Sequence, residues 1–304
     1  MPAKLLEKLR DRFGASPQTE PAQDGPFQAH PFDYSFIPSP LKRPPTCQAM
    51  MVDDLRLMYL PIAKNACSSL KRLVASLGGL ELKKGEDIHH KLDSESTGLQ
   101  FEDREDHVIR AALSDPTWMR FLVIREPLDR LISVYVEKFV LNRREPGQIP
   151  TIGPVYQAIL GKEDITPEDY DRGLTFREFA EYILSEEPER LNGHWRPQSQ
   201  YLGHIPFTHV YDVKQLERLA QDLSTHIGRT IDLPRMNVSR DVDGDQIYNR
   251  YAPDARPADL PTPKKLSLES FLPDGLRARL EEYYATDLTL YHLVERAGAS
   301  RSAD

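Results

Sequence analysis

Residues 119–139 read MRFLVIREPLDRLISVYVEKF, a strand pattern that is followed directly by a helix pattern. The first part of this stretch, Met119–Ile124, is an apolar run interrupted by Arg120, and it predicts a strand buried on both faces. Pro127 then suits the first position of a helix, because its missing N–H is not needed there. The helix is expected to bury one apolar stripe, formed by Leu128, Leu131, Ile132, Tyr135 and Phe139. A strand that leads directly into a helix is the repeating unit of an α/β sheet.

The same arrangement precedes this stretch. Residues 55–60 predict a short strand, residues 61–67 a turn, and residues 68–77 a helix that Ser68 or Ser69 caps and Gly78 ends. Further along, we expect a helix over residues 175–185, a strand over 207–211, a helix over 213–227 and terminal helices over 273–297. Strands alternating with helices predict an α/β fold with a central parallel sheet flanked by helices. We divide the chain into an irregular extension, residues 1–54, and a folded domain, residues 55–304.

Composition excludes several classes of protein. The 304 residues contain 39 Lys and Arg against 47 Asp and Glu, and the formal charge of −8 argues against a nucleic-acid partner. The two cysteines, Cys47 and Cys67, cannot form a disulfide framework, and no zinc-ligand spacing occurs, so we expect no metal. No apolar run is long enough for an integral membrane segment. A cytoplasmic location is the simplest expectation.

The first turn has the composition of a phosphate site. Residues 61–69, here named the Lys64 turn, combine one lysine with small and hydroxyl residues just before a helix, namely Lys64, Asn65, Ala66, Cys67, Ser68 and Ser69. Free N–H groups and the positive end of the helix dipole favour a bound anion there. No Walker A or dinucleotide-binding glycine pattern is present. The spacing from Cys67 to Arg72 is one residue short of a cysteine phosphatase loop, which disfavours Cys67 as a nucleophile.

The second turn, after Ile124, places Arg125 at a strand end and Ser133 on the following helix. The guanidinium and the hydroxyl can together bind a second phosphate. The alternative is a surface arginine paired with Glu126 or Asp129. By spacing alone the two interpretations are equally favoured.

These two turns resemble the cofactor motifs of the Golgi carbohydrate sulfotransferases (chondroitin and HNK-1 type) and their bacterial relatives. Residues 64–72 resemble the family's P-K-x-A-C-[ST] turn, and residues 125–135 its R-[DE]-P-x-x-R-L-x-S-x-Y segment. A third segment, His194-Trp195-Arg196-Pro197-Gln198, resembles the family's H-W-x-P-Q motif. Two features depart from the family: Ala63 stands where proline is usual, and the cysteines that follow the H-W segment in the Golgi enzymes are missing.

The resemblance implies a P-loop-like sulfotransferase fold and the donor 3′-phosphoadenosine-5′-phosphosulfate (PAPS), which is released as PAP. It assigns the 5′-phosphosulfate to the Lys64 turn and the 3′-phosphate to Arg125 and Ser133. Lys64 then stabilises the charge that develops on the departing phosphate oxygen. A sulfuryl group carries less charge than a γ-phosphoryl group, so this chemistry does not need a metal.

The acceptor hydroxyl needs a general base. We expect His90 in this role, with His194 in reserve and His89, Asp103 and Glu105 as further candidates. The resulting hypothesis is a sulfotransferase that acts on a carbohydrate or glycoconjugate hydroxyl. The alternatives are a nucleotide-dependent phosphotransferase and a non-catalytic PAP-binding protein.

Overall fold

A computed structural model describes residues 42–83, 85–202, 205–233, 252–260 and 266–300. Four strands form one sheet in the order β1 to β4, with bounds Met50–Val52, Leu57–Leu60, Met119–Ile124 and His209–Asp212. Strands β2, β3 and β4 are parallel, whereas β1 is antiparallel to β2. The sheet is therefore mixed, not wholly parallel as the sequence predicted. A connection as short as Asp53–Leu55 and Arg56 permits only an antiparallel pair.

Strand β1 lies within the last residues of the region assigned to the extension, so the sheet begins before Leu55. The expected strand over residues 55–60 is shorter by two residues, because a 3₁₀ turn occupies Asp53–Leu55. The prediction for β3 is confirmed at both ends. Residues 1–41 lie outside the described part, and the division into extension and domain stays a prediction.

Helices fill the connections. In chain order, α1 to α10 are Cys67–Leu77, Ile88–Ser94, Asp106–Ser114, Pro127–Val134, Ile149–Leu160, Pro167–Arg172, Phe176–Ser185, Leu216–Ile227, Asp274–Tyr283 and Ala285–Ser300. Helix α4 starts at Pro127 as predicted, and α7 carries the predicted capping box of Thr175 and Glu178. Helix α4 continues as a π-helical segment, Tyr135–Leu141.

Helices cover both faces of the sheet. Tyr59 and Phe121 point to one face, where they pack with α1, α2 and α8. Leu60 and Leu122 point to the other, where they pack with α3 and α10. Side chains alternate along a strand, so a strand buried on both faces is apolar along most of its length. This explains why β3 reads as an apolar run in the sequence; the exception, Arg120, donates to the backbone oxygens of Pro206 and Asp115.

A third core lies beside the sheet, among α4, the π-helical segment, α5, α7 and α9. Trp195 is 1% exposed there and packs against Phe139 and Phe179. Its neighbours in the chain, His194 and Gln198, are consequently held at fixed positions beside the carboxyl ends of the parallel strands.

Candidate functional site

The Lys64 turn has an unusual backbone. Lys64 and Ala66 both adopt positive φ angles, 71° and 58°, although neither is glycine. Ala66 is the N-cap of α1 and no side chain caps the helix, so the predicted cap by Ser68 or Ser69 is wrong. Positive φ angles this close together curve the chain so that successive N–H groups can face one anion. Such backbone conformations concentrate at functional sites.

This conformation predicts the effect of a glycine. Because a left-handed conformation is unfavourable for alanine but not for glycine, Ala66→Gly is expected to raise the free energy of unfolding by about 0.5–1 kcal/mol. The matched control is Ala111→Gly, in the interior of α3 on an exposed position, which should lower it by about 1 kcal/mol. Urea unfolding measures both. A loss of stability in both variants would contradict the assigned backbone.

The Lys64 ammonium is paired with the carboxylate of Glu137. Glu137 lies on the π-helical segment that extends α4. The Lys64 side chain is only 10% exposed, so its charge is held at the turn and not free in solvent. Isolated π-helical turns often occur at functional sites, since they shift side chains out of the α-helical register. Here the shift brings a carboxylate to the candidate catalytic lysine.

Arg125 lies at the end of β3, beside the Lys64 turn. Its Nε donates to Asp129 Oδ2 at 2.6 Å, and its Nη1 donates to the backbone oxygen of Lys64 at 3.4 Å. Arg125 is therefore paired with Asp129, as the alternative interpretation expected, and it also contacts the Lys64 turn. Ser133 is fully buried on α4. The structure thus places Arg125, and not Ser133, at the surface of the site.

Gln198 joins the two turns. Its Oε1 accepts from Asn65 Nδ2 at 2.6 Å and from the backbone N–H of Arg125 at 3.0 Å, while its Nε2 donates to the Arg125 oxygen at 2.8 Å. Asn65 Nδ2 also donates to the oxygen of Val123 at 2.9 Å. Gln198 and Asn65 are both almost wholly buried. The third sequence motif therefore fixes the separation of the first two.

Two buried charged residues stabilise this arrangement through hydrogen bonds to backbone atoms. Asp287, on α10, accepts from the backbone N–H groups of Gln198 at 2.6 Å and Ser199 at 2.8 Å. Arg130, 2% exposed, donates to three backbone oxygens, which belong to Ala63, Gly193 and Arg196. Arg130 thus ties the Lys64 turn to the H-W segment.

His194 lies at this site. Its Nδ1 is 2.8 Å from Asn192 Oδ1. Burial lowers the pKa of His194 well below its usual value, and the positive charges of Lys138, Arg130 and Lys64 lower it further. An imidazole surrounded by cations stays neutral at neutral pH, which is the form that accepts a proton.

The structure does not bring His90 to the Lys64 turn. His90 is exposed on α2, and its ring contacts Ser94 of the same helix. Its neighbour His89 faces the turn instead, with Nε2 at 2.9 Å from Ser68 Oγ. Consecutive helical residues point about 100° apart, so only one of the two histidines can face the site.

Cys67 is the first residue of α1. Burial raises the pKa of its thiol, but the nearby His89 ring, the positive charge of Lys71 and a backbone contact with Lys64 together lower this pKa to about 7. The same groups that favour a thiolate favour any other anion at the turn.

Sequence reasoning gave no role to Glu137, Arg130 or Gln198. Gln198 could have been found, because it is a polar residue within a motif that otherwise packs. Glu137 and Arg130 carried no such signal, since neither belongs to the apolar stripe that the helical pattern predicts, and a charged residue outside that stripe is usually exposed. Their contacts depend on the π-helical register and on the H-W segment, which lies 60 or so residues away in the chain.

The side chains around the turn suit a phosphorylated ligand. Lys64, Arg125 and Lys71 lie at or beside the turn. Among the described residues, Lys64 and Arg125 are each paired with one carboxylate, that of Glu137 and that of Asp129. Cationic side chains and free N–H groups are the donors that phosphate oxygens require. Within the described ranges, no three or more His, Cys, Asp and Glu residues are grouped as a metal site would require.

Comparison with known proteins agrees with this geometry. The sequence profile of the sulfotransferase family matches residues 48–293. The chain belongs to the sulfotransferase family. The family's profile includes all three motifs and all four strands of the sheet.

Several sulfotransferases of known name are similar to the chain. Carbohydrate sulfotransferase 14 of Danio rerio is 33% identical over 199 residues, which cover 61% of this chain and 49% of the relative. The human protein of the same name is 32% identical over 180 residues, covering 57% and 44%. Carbohydrate sulfotransferase 8 of Mus musculus is 28% identical over 152 residues, covering 47% and 34%. The chain thus spans about half the length of the first two. No solved structure matches.

These relatives correct one prediction. The relatives are named carbohydrate sulfotransferases, and this class does not support the expected cytoplasmic location, which is wrong. The expectation relied on two cysteines and on the lack of an apolar run, and neither property determines the compartment in which a chain resides. In the part of the chain that is described, no helix has both the length and the apolar character needed to cross a bilayer.

Proposed function

We propose that the chain transfers the sulfuryl group of PAPS to a hydroxyl of a carbohydrate or glycoconjugate. The observation that carries the proposal is the juxtaposition of the Lys64 turn and Arg125, held together by Gln198. The cationic groups of Lys64 and Arg125 lie at adjacent strand ends. PAPS carries a 5′-phosphosulfate and a 3′-phosphate, so each of its phosphates can meet one of these groups. Family membership supports the donor, and the names of the relatives support the acceptor class. We further propose that the strand, turn and helix around Lys64 are the P-loop-like part of the fold.

PAPS supplies the sulfuryl group and a phosphate leaving group. Lys64 and the N–H groups of residues 66–69 bind and neutralise the 5′-phosphate, and Arg125 binds the 3′-phosphate. Glu137 keeps the Lys64 ammonium at the turn. His194, neutral at the pH of the reaction, takes the proton from the acceptor hydroxyl. We assign this role to His194 in preference to His90, because His90 faces away from the turn.

The proposal is tested by incubating the protein with PAPS and a panel of glycans and simple phenols. We expect a mass gain of one sulfo group on a glycan and poor sulfation of p-nitrophenol. Binding of PAP without turnover on any acceptor would favour a non-catalytic PAP-binding protein. Transfer from ATP with a Mg²⁺ requirement would favour a phosphotransferase.

Recognition of the 3′-phosphate by Arg125 gives a binding prediction. Arg125→Ala should weaken PAP binding by about 10-fold or more, the effect of losing a charge-assisted hydrogen bond. Binding of adenosine 5′-phosphosulfate should hardly change, because this ligand lacks the 3′-phosphate. Titration calorimetry measures both, with Arg279→Ala, an exposed arginine on α9 paired with Glu181, as the control. Equal losses for the two ligands would refute the assignment.

A further inference from the structure

A chain of hydrogen bonds leads from a buried lysine to the Lys64 turn. Lys71, on α1, is 3% exposed, and its ammonium lies 3.3 Å from Nδ1 of His89. Nε2 of the same imidazole lies 2.9 Å from Oγ of Ser68, the second residue of α1. His89 on α2 therefore bridges two residues of the neighbouring helix.

The chemistry of the first residue fixes the direction of the bonds. A lysine ammonium has three donors and no acceptor, so Nδ1 of His89 must accept. The His89 ring is therefore neutral with its single proton on Nε2, which donates to Ser68 Oγ. Once its oxygen accepts this bond, the Ser68 hydroxyl keeps its own hydrogen for another acceptor. Among the described residues, no other hydrogen bond uses this hydroxyl.

We propose that Lys71 and His89 are positioning residues that orient the Ser68 hydroxyl to donate to the 5′-phosphate of the donor nucleotide. This inference rests on the proposed function, since it concerns the same donor site. It assigns to His89 a role in donor binding and not in proton removal from the acceptor. It also explains why a lysine is buried beside a site that already holds Lys64.

The test is titration calorimetry with PAP on the full chain. Ser68→Ala is expected to weaken PAP binding by about 10-fold, and His89→Ala by about 3- to 10-fold. Lys71→Met should act like His89→Ala, because it frees the imidazole to reverse its bonds. His89→Gln should stay within about 3-fold of the wild type, since an amide presents one acceptor and one donor as the neutral imidazole does. His107→Ala, on an exposed position of α3, is the control.

A double-mutant cycle separates orientation of the hydroxyl from a general structural role. The variant with both Ser68→Ala and His89→Ala should bind PAP no more weakly than Ser68→Ala alone, because His89 acts through that hydroxyl. Additive losses, or a His89→Ala variant that binds PAP normally but transfers no sulfuryl group, would overturn the inference while leaving the proposed function intact. A wild-type chain that does not bind PAP would overturn both.

Discussion

Replacing Lys64 by alanine is expected to lower kcat for sulfuryl transfer by about 100-fold or more, the usual effect of removing one preorganised donor to the developing charge. The loss should be largest in kcat, because the charge on the leaving oxygen is greatest in the transition state. The Lys64 side chain is nearly buried and already positioned by Glu137, so little reorganisation is needed for it to act.

Initial rates at saturating PAPS measure this effect. Lys42→Ala is the matched control, since Lys42 is a more exposed lysine paired with Asp106 outside the site, and its loss should leave kcat unchanged. Glu137→Gln provides a second comparison. It removes the pairing but keeps the shape, so we expect a smaller decrease in kcat than in Lys64→Ala. Near-normal turnover of the Lys64→Ala variant would remove this residue from the mechanism.

Replacing His194 by alanine is expected to abolish transfer while leaving PAP affinity intact, because a general base acts on the acceptor and not on the donor. The sequence favoured His90 for this role, and the geometry favours His194. His90→Ala should therefore retain activity. Turnover with a glycan acceptor and calorimetry with PAP distinguish the two, with the exposed His292→Ala as control. An inactive His90→Ala variant together with an active His194→Ala variant would favour His90 as the general base.

The lowered pKa of His194 also predicts the pH dependence. Burial and the surrounding positive charges favour the neutral ring, so the base loses activity only when the pH falls through this lowered pKa. The acid limb of kcat/KM, which reports the free enzyme, should lie below the usual pKa of histidine. Removing the charge of Lys138, as in Lys138→Met, should move this limb to higher pH. An acid limb at the usual histidine value in both proteins would contradict the assignment.

Much of the fold could be predicted because it depends on local patterns. Strand β3 is buried on both faces and is therefore apolar at every position except Arg120, and Pro127 marks the start of α4. The capping box at Thr175 is likewise a local signal. Helices α2, α3, α5 and α6 were not predicted. Of these, α2 and α6 are only seven and six residues long, which leaves too few turns for a helical period to show.

The kinds of side chain at the candidate donor site can be read from the sequence alone: a lysine and hydroxyls after β2, an arginine after β3, and a glutamine in the third motif. Which of these side chains meet depends on the three-dimensional packing. Gln198 reaches both turns because Asp287 and Trp195 hold its segment beside the sheet, and Glu137 reaches Lys64 through a π-helical turn. His89 faces the site and His90 does not, since about 100° of helical rotation separates them and packing against α1 sets which one points inward.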